Sequence, residues 1–213
     1  MGLAIAIYSD VCCPWCWIGR RRLGLALADA GPLQATISWH PFRLNPDMPP
    51  EGMPRELYRR RKFGSDAVAQ ARDAHVTAVA GELGLAFALN DQPRTPSTLL
   101  AHRLIWLAGR EGVQEALVES LFQSYFCAGQ DVGDPAILVE VASRHRLERE
   151  RVATFLAGHE GRDEVIAEEA KIRRGGLDGV PLFLFNRQVR VSGAQQPAVF
   201  ARAISDALAG AGA

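Results

Sequence analysis

Three of the four cysteines lie close together near the start of the chain, at Cys12, Cys13 and Cys16. Cys13 and Cys16 form a Cys-x-x-Cys pair, with Pro14 and Trp15 between them. This spacing serves thiol–disulfide exchange in some proteins and metal binding in others. Because the thiolate is the reactive form of cysteine, redox exchange requires that one of these thiols has a lowered pKa.

The surrounding residues place Cys13 at the start of a helix. A strand-forming run at residues 3–8 comes first, and Pro14 suits the first helical position, where its missing N–H is not needed. With Cys13 as the N-cap, its thiolate would accept hydrogen bonds from the amides of Trp15 and Cys16 and would feel the positive end of the helix dipole. Such thiols have pKa values of about 3.5–7.5 instead of ~8.5. We therefore predict that Cys13 is the nucleophile and Cys16 the less exposed, resolving thiol.

The rest of the pattern predicts an α/β fold whose sheet is interrupted by a block of helices. Helical periodicity dominates from residue 55 to about residue 174. The flanking elements have the order β-α-β and β-β-α, and they are at residues 3–8, 14–30, 35–42, 180–185, 188–191 and from residue 197 onwards. The β-α-β unit would place the cysteines at the carboxyl end of the first strand, where open α/β sheets have their sites.

A proline at the start of the first strand after the helical block is the second component of the predicted site. A strand that leads into a Cys-x-x-Cys at a helix start resembles the redox site of thioredoxin-like proteins. That resemblance implies a proline, typically cis, which faces the reactive sulfur, and a residue before it that offers backbone groups to an extended substrate. The order Val180-Pro181 fits that position. The simpler alternative is a proline that opens a strand, where it lacks only a ladder donor. We expect Val180, Pro181, Pro14 and Trp15 to contact substrate beside Cys13.

Several motifs, in order along nearly the whole chain, resemble the FrnE-type branch of the DsbA family. They are CPWC at residues 13–16, FRLNPDMPPEG at 42–52, TLLAHR at 98–103, GVP at 179–181 and VSGAQ at 191–195. The resemblance implies a thioredoxin fold with a large all-helical insertion, thiol–disulfide oxidoreductase or isomerase activity, and a cis bond before Pro181. We assign residues 1–50 and 175–213 to the two halves of the thioredoxin-like domain, and residues 51–174 to the insertion.

The chain is also similar to the glutathione-dependent 2-hydroxychromene-2-carboxylate isomerases and to kappa-class glutathione transferases. These relatives generally carry serine at the position of Cys13 and lack the cysteine at Cys16, so the two thiols favour redox chemistry. A glutathione-dependent isomerase or transferase acting on a small aromatic or polyketide-like molecule is the alternative function. A non-enzymatic, chaperone-like binder is a third. We expect no tightly bound cofactor, with glutathione as a candidate co-substrate.

Composition narrows the partners. The sequence has 24 basic residues (Lys and Arg) and 24 acidic residues (Asp and Glu). The resulting net charge of zero argues against general nucleic-acid binding. Basic clusters at residues 20–22 and 59–62 are expected to be solvated helix faces. With no apolar run of about 18 residues and no secretion-signal pattern, we expect a cytoplasmic protein without a membrane span. The expected partner is a disulfide- or thiol-containing protein, or glutathione, and the oligomeric state is open.

Cys12 and Cys127 are expected to pack as small hydrophobic residues. Zinc or an iron–sulfur cluster on the three clustered thiols is disfavoured, because structural zinc sites usually bring two ligand pairs from separate turns and the second pair is absent. We therefore predict no metal site. In the cytoplasm structural disulfides are rare, which leaves catalysis as the main reason for the clustered thiols.

Four residues near the motif or in the helical block have secondary expectations. Asp10 is expected to close the first strand or cap a turn, with proton transfer to the thiols as the alternative. His102 is expected to pack or to lie at the surface. Trp15 is expected to be exposed beside the sulfur, and Trp17 to be in the core.

Overall fold

The computed structural model describes residues 2–210, and its main sheet is built from both ends of the chain. The strands within that range are β1 (Leu3–Ser9), β2 (Ala35–Pro41), β3 (Met53–Pro54), β4 (Arg94–Thr95), β5 (Leu182–Phe185) and β6 (Val189–Ser192). The main sheet has the order β2-β1-β5-β6. β1 pairs parallel with β2 and antiparallel with β5, and β5 pairs antiparallel with β6. The predicted β-α-β and β-β-α units therefore complete one sheet.

Seven of the helices lie between β2 and β5. The helices of the described range are α1 (Pro14–Asp29), α2 (Arg55–Phe63), α3 (Asp66–Glu82), α4 (Leu99–Arg110), α5 (Gln114–Phe126), α6 (Pro135–Ser143), α7 (Arg149–Ala157), α8 (Arg162–Arg174) and α9 (Pro197–Gly210). This order confirms the predicted mixed α/β fold, while the exact domain boundaries stay a prediction. None of the helices within residues 2–210 is long and apolar enough to cross a bilayer.

Short strands in the helical block were not predicted. β3 and β4 have two residues each and pair antiparallel. A two-residue strand is too short to show the alternation by which strands are recognised in a sequence. The pair joins the connector after β2 to the loop before α4, so it fixes where α2 begins.

Helix α1 packs closely on the sheet because of one small residue. A Cβ atom at Gly19 would lie 2.9 Å from Cζ of Phe183 in β5. A larger residue would push α1 away from the sheet, so glycine permits this close approach. On another face of α1, Trp17 is buried, as expected, and its ring stacks with Phe122 and Phe126 of α5 at centroid distances of 5.8 and 6.1 Å. Helix α1 is thus held between the sheet and the helical block.

Helix α4 is fixed by a buried guanidinium. Arg103 is 3% exposed and donates to the carbonyl oxygens of Phe155 at 2.6 Å and Gly158 at 2.9 Å, at the end of α7. Carbonyls at a helix C-terminus lack intrahelical partners, so a cation there satisfies them. Because its neighbour in sequence is His102, this contact also helps to set the direction in which His102 points.

Candidate active site

Cys13 occupies the junction between β1 and α1. Its backbone is extended (φ −97°, ψ 109°), as an N-cap requires, and Pro14 is in the first turn. The Cys13 amide donates to the carbonyl oxygen of Asp10 at 3.0 Å, and the Cys16 amide donates to the carbonyl oxygen of Cys13 at 3.0 Å. The Cys13 side chain makes no cap hydrogen bond within the described residues, so the expected short bonds from the helix amides to sulfur are absent.

The two thiols of the pair have opposite pKa shifts. The pKa of Cys13 is lowered, chiefly because the Cys16 thiol donates a hydrogen bond to its sulfur, and this outweighs the effect of burial. The backbone amides of Cys16 and Trp15 lower it further, although neither forms a full cap hydrogen bond to the sulfur. The pKa of Cys16 is raised well above its ordinary value by burial and by that same donated bond. These directions favour a Cys13 thiolate next to a protonated Cys16.

The buried carboxylate of Asp10 is close enough to the three clustered thiols for its charge to act on them. Asp10 is fully buried, and its two oxygens accept from Nε2 of His102 at 3.2 Å and from the amide of Leu44 at 2.7 Å. Burial raises the pKa of Asp10, but hydrogen bonds from His102, Leu44 and Thr98 outweigh it, so that the pKa is lowered. Asp10 does more than close the strand, because it also joins β1 to α4 and to the connector after β2.

The pairing of Asp10 with His102 was missed by sequence reasoning. The two residues are 92 positions apart, and only the TLLAHR motif drew attention to His102. Helical periodicity places His102 on a buried face of α4 but does not name the neighbour. His102 is 2% exposed, so it has the packed one of the two expected environments, packed or at the surface.

The turn that contains Val180 and Pro181 lies next to Cys13 in the folded chain. The peptide bond between Val180 and Pro181 is cis, as the resemblance implies. Sγ of Cys13 lies 3.8 Å from the carbonyl oxygen of Val180, although 167 positions separate the two residues. The carbonyl oxygen of Pro181 accepts from the Gly193 amide at 2.8 Å, which ties this turn to the end of β6. The predicted partners Cys13, Val180 and Pro181 are thus close together.

A cavity of about 600 Å³ opens beside Cys13. Of the predicted site residues, Cys13, Pro14, Trp15 and Val180 line it, whereas Cys16 and Pro181 are not part of its wall within residues 2–210. Trp15 is half-buried instead of exposed. Its ring lies 5.8 Å from that of His75 in α3, because α3 covers this side of the motif.

The opposite wall of the cavity comes from α2 and α3, and it includes residues that were predicted to be solvated. Arg59 and Lys62 belong to the basic cluster at residues 59–62. Lys62 is exposed, as predicted, whereas Arg59 is only partly exposed, and both line the cavity together with Arg55. Their spacing of four and three positions puts them on one helix face. That spacing was the available signal, but it does not indicate what the face meets.

The remaining cysteines have different surroundings. Cys12 lines the same cavity, and burial followed by the charge of Asp10 raises its pKa well above the ordinary value. Cys127 is half-buried at the end of α5, where burial and the charge of Glu119 raise its pKa. Within the part of the chain that the structure describes, no group of three or more His, Cys, Asp or Glu residues could hold a metal ion.

Comparison with known proteins identifies relatives of this arrangement. The family model of the DSBA-like thioredoxin domain matches residues 4–205. A solved structure described as a probable DsbA oxidoreductase from Streptomyces coelicolor is 33% identical to this chain. It has a TM-score of 0.86, and the match covers 97% of this chain and 90% of that one.

Two further solved structures share the fold at low sequence identity. A 2-hydroxychromene-2-carboxylate isomerase is 14% identical with a TM-score of 0.73, and the match covers 98% of both chains. The cytosolic disulfide reductase DsbM from Pseudomonas aeruginosa, solved with GSH, is 15% identical with a TM-score of 0.65. That match covers 97% of this chain and 99% of DsbM. These two likenesses show the fold alone.

Proposed function

The chain belongs to the DsbA family of thioredoxin-fold proteins, and on that premise we propose that it is a thiol–disulfide oxidoreductase or isomerase with Cys13 as nucleophile and Cys16 as resolving thiol. The observation that carries the proposal is the position of Cys13, which is the N-cap of α1, lines the cavity and lies 3.8 Å from the carbonyl oxygen of Val180, whereas Cys16 is fully buried. The lowered pKa of Cys13 and the raised pKa of Cys16 agree with this assignment. An attacking thiol must be ionised and accessible, and Cys13 is the one of the two that lines the cavity.

The proposed reaction consists of two thiol–disulfide exchanges. The Cys13 thiolate attacks one sulfur of the substrate disulfide, so that a mixed disulfide forms and the other substrate sulfur leaves as a thiolate. Cys16, after losing its proton, attacks the Cys13 sulfur and releases the second substrate thiolate. Both leaving sulfurs take up protons. The substrate has gained two electrons, the protein holds a Cys13–Cys16 disulfide, and a thiol reductant is needed to restore it.

The pair is arranged so that the first step activates the second. Before attack, donation to Cys13 and the negative charge of its thiolate are two of the causes that raise the pKa of Cys16. Once Cys13 is part of a mixed disulfide, that charge is gone, so both causes weaken. The pKa of Cys16 then falls at the stage when its thiolate is required. If a freed substrate thiol attacks first instead, the outcome is isomerisation of the substrate.

The neighbouring residues are proposed to position the substrate. The carbonyl oxygen of Val180, 3.8 Å from Sγ of Cys13, offers an acceptor for a backbone N–H of an extended substrate. Pro14 and Trp15 form the adjoining wall. Pro181 holds Val180 in place through the hydrogen bond that its carbonyl oxygen accepts from the Gly193 amide. None of these residues needs to ionise for this role.

The proposed partner is a disulfide- or thiol-containing protein, or glutathione as a co-substrate, and no tightly bound cofactor is proposed. The fold likeness to DsbM, which is described as a cytosolic disulfide reductase and was solved with GSH, supports glutathione and a cytoplasmic setting for this proposal.

Insulin reduction with dithiothreitol as electron donor tests the redox function. We expect Cys13→Ser to lower the rate by roughly a hundredfold or more, because a hydroxyl is a far weaker nucleophile than a thiolate at neutral pH. Cys127→Ser, the matched control, should react as wild type does. Equal rates for wild type and Cys13→Ser would contradict the proposal.

The order of attack has a separate test. Replacing Cys16 with alanine removes the resolving thiol, so we expect mixed disulfides with substrate to accumulate on Cys13. Mass spectrometry of the oxidised variant, with and without reductant, measures them. Adducts on Cys12 and none on Cys13 would reverse the assignment of the nucleophile.

A glutathione-dependent isomerase or transferase is the second candidate. The cavity of about 600 Å³ beside Cys13 favours it, since a small aromatic molecule fits such a volume. The Cys13–Cys16 pair argues against it, because isomerisation with glutathione as the thiol needs no resolving cysteine. Turnover of an aromatic substrate with glutathione that persists in Cys16→Ala, together with no insulin reduction by wild type, would favour the second candidate.

A further inference from the structure

The cavity beside Cys13 carries more positive than negative charge on its wall. Four cationic side chains line it, Arg55, Arg59 and Lys62 from α2 and Arg72 from α3. Asp73 is the one carboxylate of the wall within residues 2–210. A volume of about 600 Å³ lies within the range of roughly 300–1,000 Å³ that is typical of small-molecule sites. The cavity therefore has both the size and the charge for an anionic ligand.

Two of the four cations share the single carboxylate. Asp73 accepts from Arg55 through one oxygen at 2.8 Å and from Arg59 through the other at 2.7 Å. Arg59 also donates to the carbonyl oxygen of Ala69 at 2.6 Å. These contacts fix both guanidinium groups against α3. They supply a rigid, still positive side of the cavity, because one negative charge faces two positive ones.

The other two cations have no counter-ion in the described part of the chain. Neither Lys62 nor Arg72 forms an ion pair there, and Nζ of Lys62 donates only to the hydroxyl of Tyr58, at 2.9 Å. Both charges lie near the ring of Phe63, at 5.7 and 5.0 Å from its centroid. Lys62 is also among the charges that act on the Cys12 thiol, so its field extends to the motif.

We propose that this cavity binds the part of a disulfide substrate that carries a carboxylate, and that Lys62 and Arg72 receive the negative charge. The inference rests on the proposed function, because the reactive sulfur in the cavity is Cys13. The apolar part of the substrate contacts Phe63 and Trp15, which line the same space. The reaction is the exchange described above, in which Cys13 attacks the bound disulfide and an anionic thiol leaves.

The test compares three small symmetric disulfides that differ mainly in charge: 3,3′-dithiodipropionate, which is anionic, bis(2-hydroxyethyl) disulfide, which is neutral, and cystamine, which is cationic. The second-order rate constant of the reduced protein is measured with each, for wild type and for the double variant Lys62→Gln/Arg72→Gln. Lys171→Gln/Arg174→Gln is the matched control, since it removes the same charge from exposed positions on α8, outside the cavity wall.

We expect the Lys62→Gln/Arg72→Gln variant to react about fivefold more slowly with the dipropionate, a ratio that follows from the ~1 kcal/mol upper value of an exposed charge pair. Its reaction with the neutral disulfide should change by less than about twofold, and that with cystamine should become faster. The Lys171→Gln/Arg174→Gln control should match wild type. Added salt should reduce the differences, because exposed charges are screened.

A second arm identifies the source of the carboxylate. Peptide disulfides with glutamate or glutamine next to the cysteine are compared in the same way. The ratio of rate constants for the glutamate and glutamine peptides is compared with the ratio for dipropionate and the neutral disulfide. If the peptide ratio is larger, the carboxylate belongs to an acidic protein segment, and if it is smaller, the carboxylate belongs to a small acidic molecule. Equal slowing of the Lys62→Gln/Arg72→Gln variant with all three small disulfides would overturn the inference while leaving the proposed function intact. Failure of wild type to react with any of them would overturn the proposed function instead.

Discussion

Cys13 lines the cavity described above, Cys127 lines a separate cleft beside Arg21, and the charge of a carboxylate acts on each thiol, yet the two thiols have opposite pKa shifts. The pKa of Cys13 is lowered even though burial and the charge of Asp10 act against it. The pKa of Cys127 is raised by burial and by the charge of Glu119, which the charge of Arg21 only partly offsets. A cysteine in a cavity is therefore not by itself a reactive cysteine.

The difference between the two cysteines is in the donors around each sulfur. Cys13 is the N-cap of α1, where helix amides and the positive end of the dipole favour a thiolate, and the Cys16 thiol adds a hydrogen bond. Cys127 is the C-cap of α5, where the last carbonyls and the negative end of the dipole disfavour a thiolate. The opposite helix ends reinforce a difference in pKa whose largest causes are the Cys16 hydrogen bond at Cys13 and burial at Cys127.

The largest expected difference is in stability, between the carboxylate near Cys13 (Asp10) and the one near Cys127 (Glu119). Asp10→Ala leaves the His102 ring and the Leu44 amide buried without their acceptor, so we expect a loss of about 3 kcal/mol in the free energy of unfolding. Glu119→Gln keeps an acceptor for the indole N–H of Trp17, and its cost should be at most ~1 kcal/mol. Urea unfolding followed by circular dichroism measures both. Equal losses would show that Asp10 is no more integral to the fold than Glu119.

The pH dependence of alkylation should distinguish the two thiols directly. A lowered pKa means that the Cys13 thiolate persists as the pH falls, whereas Cys127, with a raised pKa, is already protonated. At pH 6 we expect iodoacetamide to modify Cys13 at least about tenfold faster than Cys127. Peptide mass spectrometry of a time course reports each site. The difference should shrink as the pH rises, and a constant ratio at all pH values would contradict the assigned shifts.

Removing the Cys16 thiol should make Cys13 resemble Cys127 more closely. The hydrogen bond from Cys16 is the largest cause that lowers the pKa of Cys13, so we expect Cys16→Ala to move the alkylation profile of Cys13 to higher pH. Its rate at pH 6 should fall by a few fold. Cys12→Ala is the matched control and should leave the profile in place. If the profile shifts in Cys12→Ala as much as in Cys16→Ala, Cys16 is not the main hydrogen-bond donor to Cys13.

The smallest expected effect is at Cys127. Glu119→Gln removes the negative charge that raises the pKa of this thiol, while burial still raises it. Alkylation of Cys127 should become faster by about twofold or less, because a charge interaction near the surface is weak. Cys13 in the same sample serves as the internal reference. A change larger than that at Cys13 in Cys16→Ala would mean that charge, and not donor geometry, decides the comparison.

Local patterns predicted much of the fold and part of the site. The strand before the motif, the proline at the first helical position and the final hairpin all depend on neighbouring residues, and each is present. Helix α1 begins at Pro14, as predicted, whereas β5 begins at Leu182, two residues later than expected, because Val180 and Pro181 belong to the turn that faces Cys13.

Residues whose roles depend on distant partners were the ones that the sequence described poorly. Arg59 was assigned to a solvated face but is only partly exposed, because its guanidinium pairs with Asp73 of α3. Lys62 is exposed, as expected, but the periodicity of α2 does not show that this face also lines the cavity. Trp15 was expected to be exposed, because no residue close to it in sequence predicts the contact with His75. Charge and aromaticity are visible in a sequence, whereas the surface that a side chain meets is not.

The sequence by itself determined the identity and spacing of the clustered thiols, the helix start at Cys13, and the order of elements that forms the sheet. These depend on covalent spacing and on local backbone preferences. Only the tertiary structure decided that Asp10 meets His102, that Val180 faces Cys13, and that α2 and α3 close a positively charged cavity over the motif. Such contacts join residues far apart in the chain, and their positions follow from the packing of whole helices against the sheet, which no local pattern specifies.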